Sequence, residues 1–169
     1  IRLEAAEVID RLHALGINKV CMMTGDNRNT AASVASKLHI DEFYAEVLPE
    51  DKAAFIRREH EKGRKVLMVG DGINDTPALS EADAGFAVAN GAAIAREVAD
   101  IVISDGSLEN LVTVRRIAVL LFDRIHTNYR TIMGFNGSLI ALGALGLLSP
   151  ATASLLHNMS TIAIGLYSM

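Results

Sequence analysis

The sequence predicts an α/β domain built on a parallel sheet, followed by a hairpin of two membrane-spanning helices. Short apolar runs alternate with segments of helical periodicity through residues 1–126, which is typical of a parallel sheet covered by helices on both faces. Every Lys, Arg, Asp and Glu lies within residues 1–130, whereas residues 131–169 carry none. The composition therefore separates a charged domain from an apolar tail.

The helices of the domain are predicted from apolar spacing and from the glycines that close them. Val8, Leu12 and Leu15 recur at helical spacing, and Gly16 follows as a residue that tolerates left-handed backbone. Gly63 ends the third helix in the same way. The predicted helices cover residues 3–15, 28–38, 50–62, 76–82, 92–98 and 107–126.

Short apolar runs between these helices are predicted to be strands. They cover residues 17–23, 43–47, 65–69, 85–89 and 101–104. Ligands of parallel sheets bind at the carboxyl ends of the strands. The loops Thr24-Gly25-Asp26 and Gly70-Asp71-Gly72 each follow a strand, so we expect them to meet at one edge of the sheet.

The tail is predicted to cross a membrane twice, as helices over residues 131–148 and 151–169 joined by Ser149-Pro150. At 1.5 Å per residue each helix spans roughly 27 Å, close to the hydrocarbon thickness of a bilayer. Arginines in front of the first helix place residues 1–126 in the cytoplasm and predict an integral protein of the cell membrane. A buried hairpin in a soluble protein is the alternative.

Composition excludes several classes of protein. The formal net charge is −4 and no basic stripe is present, so nucleic acid is not an expected partner. Cys21 is the only cysteine, which excludes an internal disulfide. Ile1 is not a start Met and the chain ends inside an apolar run, so we expect a piece of a longer protein.

The segment Gly70-Asp71-Gly72-Ile73-Asn74-Asp75 carries the strongest chemical signal. Two carboxylates, an amide and two glycines follow a buried strand, which suits a Mg²⁺ and phosphate site because Mg²⁺ prefers hard oxygen ligands. An acidic turn that caps the next helix is the alternative. Thr24-Gly25-Asp26 adds a hydroxyl, backbone amides and a carboxylate, and Lys52 adds a cation that can neutralise phosphate. Together these residues predict phosphoryl transfer.

Three motifs in this order resemble the P-type ATPases, whose phosphorylation domain has the Rossmann-like fold of the haloacid dehalogenase superfamily. They are Thr-Gly-Asp-Asn at 24–27, Pro-x-x-Lys at 49–52 and Gly-Asp-Gly-Ile-Asn-Asp-x-Pro-Ala-Leu at 70–79. A two-helix tail directly after the domain is most similar to the heavy-metal-transporting branch. The resemblance covers essentially the whole chain and implies an aspartyl-phosphate intermediate, with ATP and Mg²⁺ as cofactors.

The resemblance also implies a role for each matching residue. Thr24 and Lys52 contact the transferred phosphoryl group, while Gly25 and Asp26 help to position nucleotide and phosphate. Asp71 coordinates Mg²⁺, with Asn74 and Asp75 supporting that site. Thr76 replaces the Ala that is usual there, a change that we do not expect to alter the chemistry.

The phosphorylated aspartate of the family is absent from this chain. It lies in an Asp-Lys-Thr-Gly-Thr motif, which this sequence lacks and which we expect upstream. Residues 1–126 would then be the C-terminal part of the phosphorylation domain, with an incomplete sheet, and residues 127–169 the last two membrane helices. Because catalysis needs the nucleophile as well as the electrostatic groups, this fragment is predicted to be inactive alone.

His157 and Asn136 are the candidate ligands of the transported ion. A His inside a membrane span is costly and therefore marks function, and imidazole suits Zn²⁺, Co²⁺, Ni²⁺ and Cu²⁺. His157 falls where copper pumps carry Met, zinc pumps Asp and a cobalt-type group His, and Asn136 falls where copper pumps carry Tyr-Asn. The resemblance favours a divalent transition metal, with Cu⁺ as the alternative and a metallochaperone as a further partner.

Other functions remain open at this point. An interhelical hydrogen bond without ion contact is the alternative role of His157. A soluble phosphatase of the same superfamily shares the three motifs, and a non-catalytic binding module would explain the missing nucleophile. The potassium-transporting branch also shares the motifs, but the short connection to the tail and His157 argue against it.

Overall fold

The computed structural model describes residues 4–70, 73–88, 97–103 and 105–167, and it divides into two compact units at 115/116. The first unit alternates helices and strands, and the second is helical. The helices are α1 (Ala5–Ala14), α2 (Arg28–Lys37), α3 (Pro49–Glu61), α4 (Thr76–Glu81), α5 (Glu109–Ala144) and α6 (Pro150–Tyr167). The strands are β1 (Cys21–Met23), β2 (Glu42–Tyr44), β3 (Leu67–Gly70), β4 (Ala84–Val88) and β5 (Ile101–Ile103).

All strand pairs in the described residues are parallel, as predicted, but they form two sheets and not one. β1 pairs with β2, so that Met22 lies opposite Phe43. β3, β4 and β5 form the other sheet in that order, with Phe86 of β4 opposite both Val69 and Ile101. Among the described strands, β1, β2, β3 and β5 therefore each have one edge without a strand partner, and only β4 is paired on both sides.

The core of the first unit lies between the three-stranded sheet and its helices. Leu79 of α4 and Ala87 of β4 are almost fully buried and pack with Met68. Phe86 and Ile103 form a second cluster with Leu111, in the first turns of α5. The beginning of α5 is thus fixed to the sheet by apolar packing.

β1 is shorter than the strand predicted at 17–23 because the first residues of that run bond to a helix end or a side chain, not to a neighbouring strand. Ile17 N–H donates to the carbonyl of Leu12 at the end of α1. Val20 N–H donates to the carboxylate of Asp41. The ladder therefore begins only at Cys21. Most of the helix predicted at 92–98 lies outside the described residues.

The predicted helix at 107–126 and the first predicted span at 131–148 are one helix, α5. No Gly or Pro separates them, so nothing in the backbone ends the first helix before the second begins. α5 ends at Ala144, not at residue 148, because the chain turns at Gly146, whose φ is +72°. The second predicted span, 151–169, is observed as α6 over Pro150–Tyr167.

A helix that crosses a bilayer needs both sufficient length and sufficient mean hydropathy. Within the part of the chain that the structure describes, no helix combines the length and the mean hydropathy needed to cross a bilayer.

Candidate active site

The carboxyl end of β3 places Asp75 directly against Gly70. A Cβ added to Gly70 would lie 2.7 Å from the Cβ of Asp75 and 2.9 Å from its Oδ2. Real side-chain atoms do not approach so closely, so only glycine allows this arrangement. A short 3-10 turn, Ile73–Asp75, brings the carboxylate back over the strand end, and α4 begins at Thr76.

Lys52 binds this carboxylate from the first turn of α3. Its Nζ lies 2.6 Å from Oδ1 of Asp75, and the two side chains are only 17% and 10% exposed. The start of α3 is set by Pro49 and by Asp51, whose carboxylate accepts a hydrogen bond from Leu48 N–H. The structure therefore brings two of the predicted site residues into one largely buried ion pair.

Thr24 and Asp26 form a second, more exposed pair after β1. The Thr24 hydroxyl donates to Oδ2 of Asp26 over 3.0 Å and accepts a hydrogen bond from the Asp26 N–H over 3.1 Å. Asn27 then caps α2, because its Oδ1 accepts a hydrogen bond from Thr30 N–H. A Cβ on Gly25 would meet Val47 O at 3.9 Å, an ordinary contact.

Backbone hydrogen bonds tie this second pair to the segment that leads into α3. Val47 N–H donates to Thr24 O, and Glu46 N–H donates to Asp26 O. Lys52 follows Val47 by five residues. No hydrogen bond among the described residues joins the Thr24–Asp26 pair directly to Lys52, so the two pairs are neighbours through the backbone and not through their side chains.

The remaining predicted residues of this site are placed differently. Asp71 lies outside the described residues. Asn74 is exposed. Within the same coverage, no group of three or more His, Cys, Asp or Glu residues could hold a metal ion.

Thr76 is a residue whose environment the sequence did not reveal. Its hydroxyl oxygen is buried and has no hydrogen-bond partner within the described part of the chain. A buried hydroxyl without a partner costs about 1–3 kcal/mol. The sequence shows that Thr76 follows Asp75, but it gives no sign that this side chain turns inward.

Two acidic residues near the start of β3 organise the connection from α3. The pKa of Glu59 is lowered to about 2, because its carboxylate accepts hydrogen bonds from Lys62 and Arg64. Hydrogen bonds from Lys65 and from the Val66 N–H lower the pKa of Asp83 well below its usual range. These contacts fix the chain where it enters β3.

His60 also donates to Asp83, with Nε2 at 2.8 Å from Oδ2. His60 and His13 are both only about 30% exposed and lie beside carboxylates. The sequence offered no signal for these pairs, since the carboxylates come from distant segments.

In the second unit, the structure brings His157 of α6 next to Asn136 of α5. The imidazole Nδ1 lies 2.8 Å from Oδ1 of Asn136. The hydroxyls of Ser160 and Thr161 both donate to the carbonyl of His157. The two candidate ligands of a transported ion are therefore in direct contact.

Comparisons with known proteins agree with these motifs. Residues 1–83 match the haloacid dehalogenase-like hydrolases. The chain is 42% identical over 161 residues to the "Probable copper-exporting P-type ATPase V" of Mycobacterium tuberculosis, covering 95% of this chain and 21% of that protein. It is 42% identical over 165 residues to the "Manganese-exporting P-type ATPase" of Mycobacterium leprae, covering 97% and 23%. The chain is a homologue of the heavy-metal P-type ATPases.

Its homologues include a solved zinc-transporting PIB-type ATPase in the E2·Pi state. That structure superposes with a TM-score of 0.87 at 33% identity, over 99% of this chain and 27% of the other. The first unit thus has the α/β fold with parallel strands of the haloacid dehalogenase-like proteins. The chain spans about a fifth of the length of the curated relatives that it matches.

Proposed function

We propose that this chain is the C-terminal part of an ATP-driven pump that exports a transition-metal cation. In this proposal residues 1–126 complete its cytoplasmic phosphorylation domain, and residues 127–169 are two of its membrane helices. The observation that carries the proposal is the ion pair between Lys52 and Asp75 at the end of β3. The similarity to metal-exporting ATPases over both the domain and the tail supports it.

The residues at the strand ends would act by charge and position. The Lys52 ammonium would neutralise oxygens of the transferred phosphoryl group, and the Thr24 hydroxyl would donate a hydrogen bond to it. The Thr24 hydroxyl now donates its one proton to Asp26, so it would exchange this acceptor for a phosphoryl oxygen, while the Asp26 N–H continues to hold the hydroxyl oxygen in place. Gly25 leaves the backbone beside Thr24 accessible to the nucleotide. Asn74, which is exposed, would supply a neutral hydrogen-bonding group.

The donor set at the end of β3 fits Mg²⁺. Asp75 offers hard carboxylate oxygen, and Gly70 leaves the room beside it that any larger residue would fill. We propose that Asp71 and Asp75 hold the ion, with Asn74 supporting them. When bound, Mg²⁺ would neutralise negative charge on the phosphoryl oxygens.

A strand that carries the phosphorylated aspartate would complete the split sheet. Met22 and Met23 of β1 are only half-buried, and Leu67 of β3 is 40% exposed, although strands this apolar are normally covered. We propose that an apolar strand from an upstream segment pairs with β1 and β3. Its aspartate would attack the γ-phosphorus of ATP, releasing ADP, and water would later release phosphate.

The second unit would lie in the bilayer among other helices of the pump. α5 and α6 expose large apolar side chains along their length, including Met133, Ile140, Ile162 and Leu166. Neighbouring helices or lipid would cover them. The arginines in the first half of α5 would remain on the cytoplasmic side of the cell membrane.

His157 and Asn136 would form part of the path of the transported ion. The pair lies in the segment 131–169, which carries no Lys, Arg, Asp or Glu, and imidazole suits divalent first-row metals. We propose a divalent ion first. Cu⁺ is a second candidate, because one relative carries a copper-exporting name. A metallochaperone that delivers the ion belongs to the same proposal.

The test is ATP hydrolysis by the intact pump in lipid vesicles, with Zn²⁺, Co²⁺, Mn²⁺ and Cu⁺ added in turn. Lys52→Met should abolish metal-stimulated hydrolysis. Lys37→Met removes the same charge from an exposed position at the end of α2 and should retain it. Hydrolysis that no metal stimulates, together with phosphatase activity towards a small phosphate monoester, would favour the phosphatase instead.

His157→Ala in the same assay tests the assignment of the ion site. We expect loss of stimulation by the cognate metal with little change in ATP binding. Unchanged stimulation by every metal would remove His157 from the ion path.

A further inference from the structure

The contact between His157 and Asn136 selects one form of the imidazole. The atom facing Nδ1 at 2.8 Å is the side-chain oxygen of Asn136, which can accept a hydrogen bond but cannot donate one. Nδ1 must therefore carry the proton. In a neutral imidazole the other nitrogen, Nε2, then has the free lone pair.

We propose that Asn136 is a positioning residue, which holds His157 as the Nδ1–H tautomer and so presents Nε2 to a divalent cation. The cation part rests on the proposed transport function, whereas the tautomer does not. Nε2 has no hydrogen-bond partner among the described residues, so no other contact competes for its lone pair.

This assignment gives the two residues different tasks. Histidines that bind metals usually donate their second ring N–H to an oxygen, which fixes the ring and raises the basicity of the ligating nitrogen. Asn136 supplies that oxygen. The Ser160 and Thr161 hydroxyls both donate to the backbone carbonyl of His157, and no hydrogen bond joins either of them to the imidazole among the described residues.

The tautomer can be measured on the full chain in detergent micelles by ¹H–¹⁵N NMR of the imidazoles, without metal. The sample is kept in mildly alkaline buffer. The His157 signals are assigned by their loss in His157→Ala. We expect a protonated Nδ1 and an unprotonated Nε2. A protonated Nε2 in the wild-type chain would overturn the proposal.

Two leucine variants then separate positioning from packing. Asn136→Leu should abolish the tautomer preference, and 10–100-fold more Zn²⁺ should be needed to shift the Nε2 resonance. Asn158→Leu makes the same change at an exposed neighbour of His157 and should behave like wild type. Asn136→Asp keeps an acceptor oxygen and should restore the tautomer.

Two further results would be decisive. If Asn136→Leu left both the tautomer and the Zn²⁺ titration unchanged, or if Zn²⁺ shifted Nδ1 in place of Nε2, Asn136 would have no positioning role. A wild-type Nδ1–H tautomer in a protein whose intact form shows no metal-stimulated hydrolysis would leave the orientation standing and reject the transport function.

Discussion

At the scale of single residues, the site depends on Gly70 as much as on the charged groups that it accommodates. Asp75 can lie across the end of β3 only because Gly70 has no side chain. Lys52 then neutralises a carboxylate that is 10% exposed. Removing the carboxylate would leave the Lys52 ammonium, which is only 17% exposed, without its ion-pair partner, and such a loss typically costs about 3–5 kcal/mol.

Gly70→Ala should destabilise the first unit by about 1–3 kcal/mol, because its Cβ would overlap Asp75 and force the carboxylate away from Lys52. Urea unfolding of the full chain, followed by circular dichroism, measures the change. Gly25→Ala adds a methyl group that meets only an ordinary contact, and its unfolding should be close to wild type. Equal stability of the two variants would contradict this account of Gly70.

Thr76→Val should stabilise the chain by about 1 kcal/mol, since it replaces a buried hydroxyl that has no partner among the described residues with an apolar group of the same shape. The matched control is Thr113→Val, at an exposed position on α5, which should change stability by less than about 0.5 kcal/mol. A less stable Thr76→Val chain would show that the hydroxyl has a partner.

At the scale of secondary-structure elements, helix ends hold the two functional pairs in place. α2 begins directly after Thr24-Gly25-Asp26, and its first turn is capped by Asn27. α3 begins with Pro49 and presents Lys52 one turn later. The sequence predicted these helices within one residue at each end, because their start signals are local.

Asn27→Ala should cost about 1 kcal/mol through loss of the cap to Thr30 N–H. Asn29→Ala is the same substitution two residues later, inside the exposed first turn of α2, and should leave stability unchanged or slightly higher. Thermal unfolding of the two variants side by side gives the comparison, and a cost at Asn29 as large as at Asn27 would remove the capping explanation.

The ion pairs of Glu59, near the end of α3, should make the free energy of unfolding depend on pH. The pKa of Glu59 falls on folding from its ordinary 4.5 to about 2, so its contribution is complete above pH 4.5 and is lost as the pH falls towards 2. Glu59→Gln should flatten the unfolding free energy across this range. Glu61→Gln, at an exposed position on the same helix, should keep the wild-type slope.

At the scale of the whole molecule, local patterns predicted the elements but not their assembly. Apolar runs located every described strand, yet the division into two sheets depends on pairing between distant segments. The sequence predicts one helix that ends at residue 126 and another that begins at 131, because the charged residues stop at Arg130. Charge indicates which residues are exposed to solvent, but it does not indicate where a backbone helix ends. α5 continues through residues 126–131 because no residue there interrupts helical hydrogen bonding.

For the candidate site too, local motifs predicted the residues, but not all of the contacts between distant segments. Lys52 and Asp75, both selected as site residues from the sequence, form an ion pair, and Asn136 lies beside His157. The buried Thr76 hydroxyl and the His60–Asp83 pair were not foreseen, since burial and long-range pairing leave no trace in a short motif. Asp71 lies outside the described residues, so its role stays a prediction.

The full chain incubated with labelled ATP and Mg²⁺ should form no acid-stable phosphoenzyme, because it lacks the Asp-Lys-Thr-Gly-Thr motif. Acid precipitation followed by gel analysis measures the label. The intact pump, assayed in parallel, should become labelled. Label on any aspartate of this chain would show that a different nucleophile operates here.

The unpaired edges of β1 and β3 also bear on the order of folding. If the strand between them comes from an upstream segment, that strand is synthesised first and must wait for residues 21–70 before it can pair. Contacts between segments so distant in sequence form slowly, because a long loop must close before they contribute. Newly made pump would then pass through a period with an exposed apolar strand, in which chaperones or aggregation compete with assembly of the sheet.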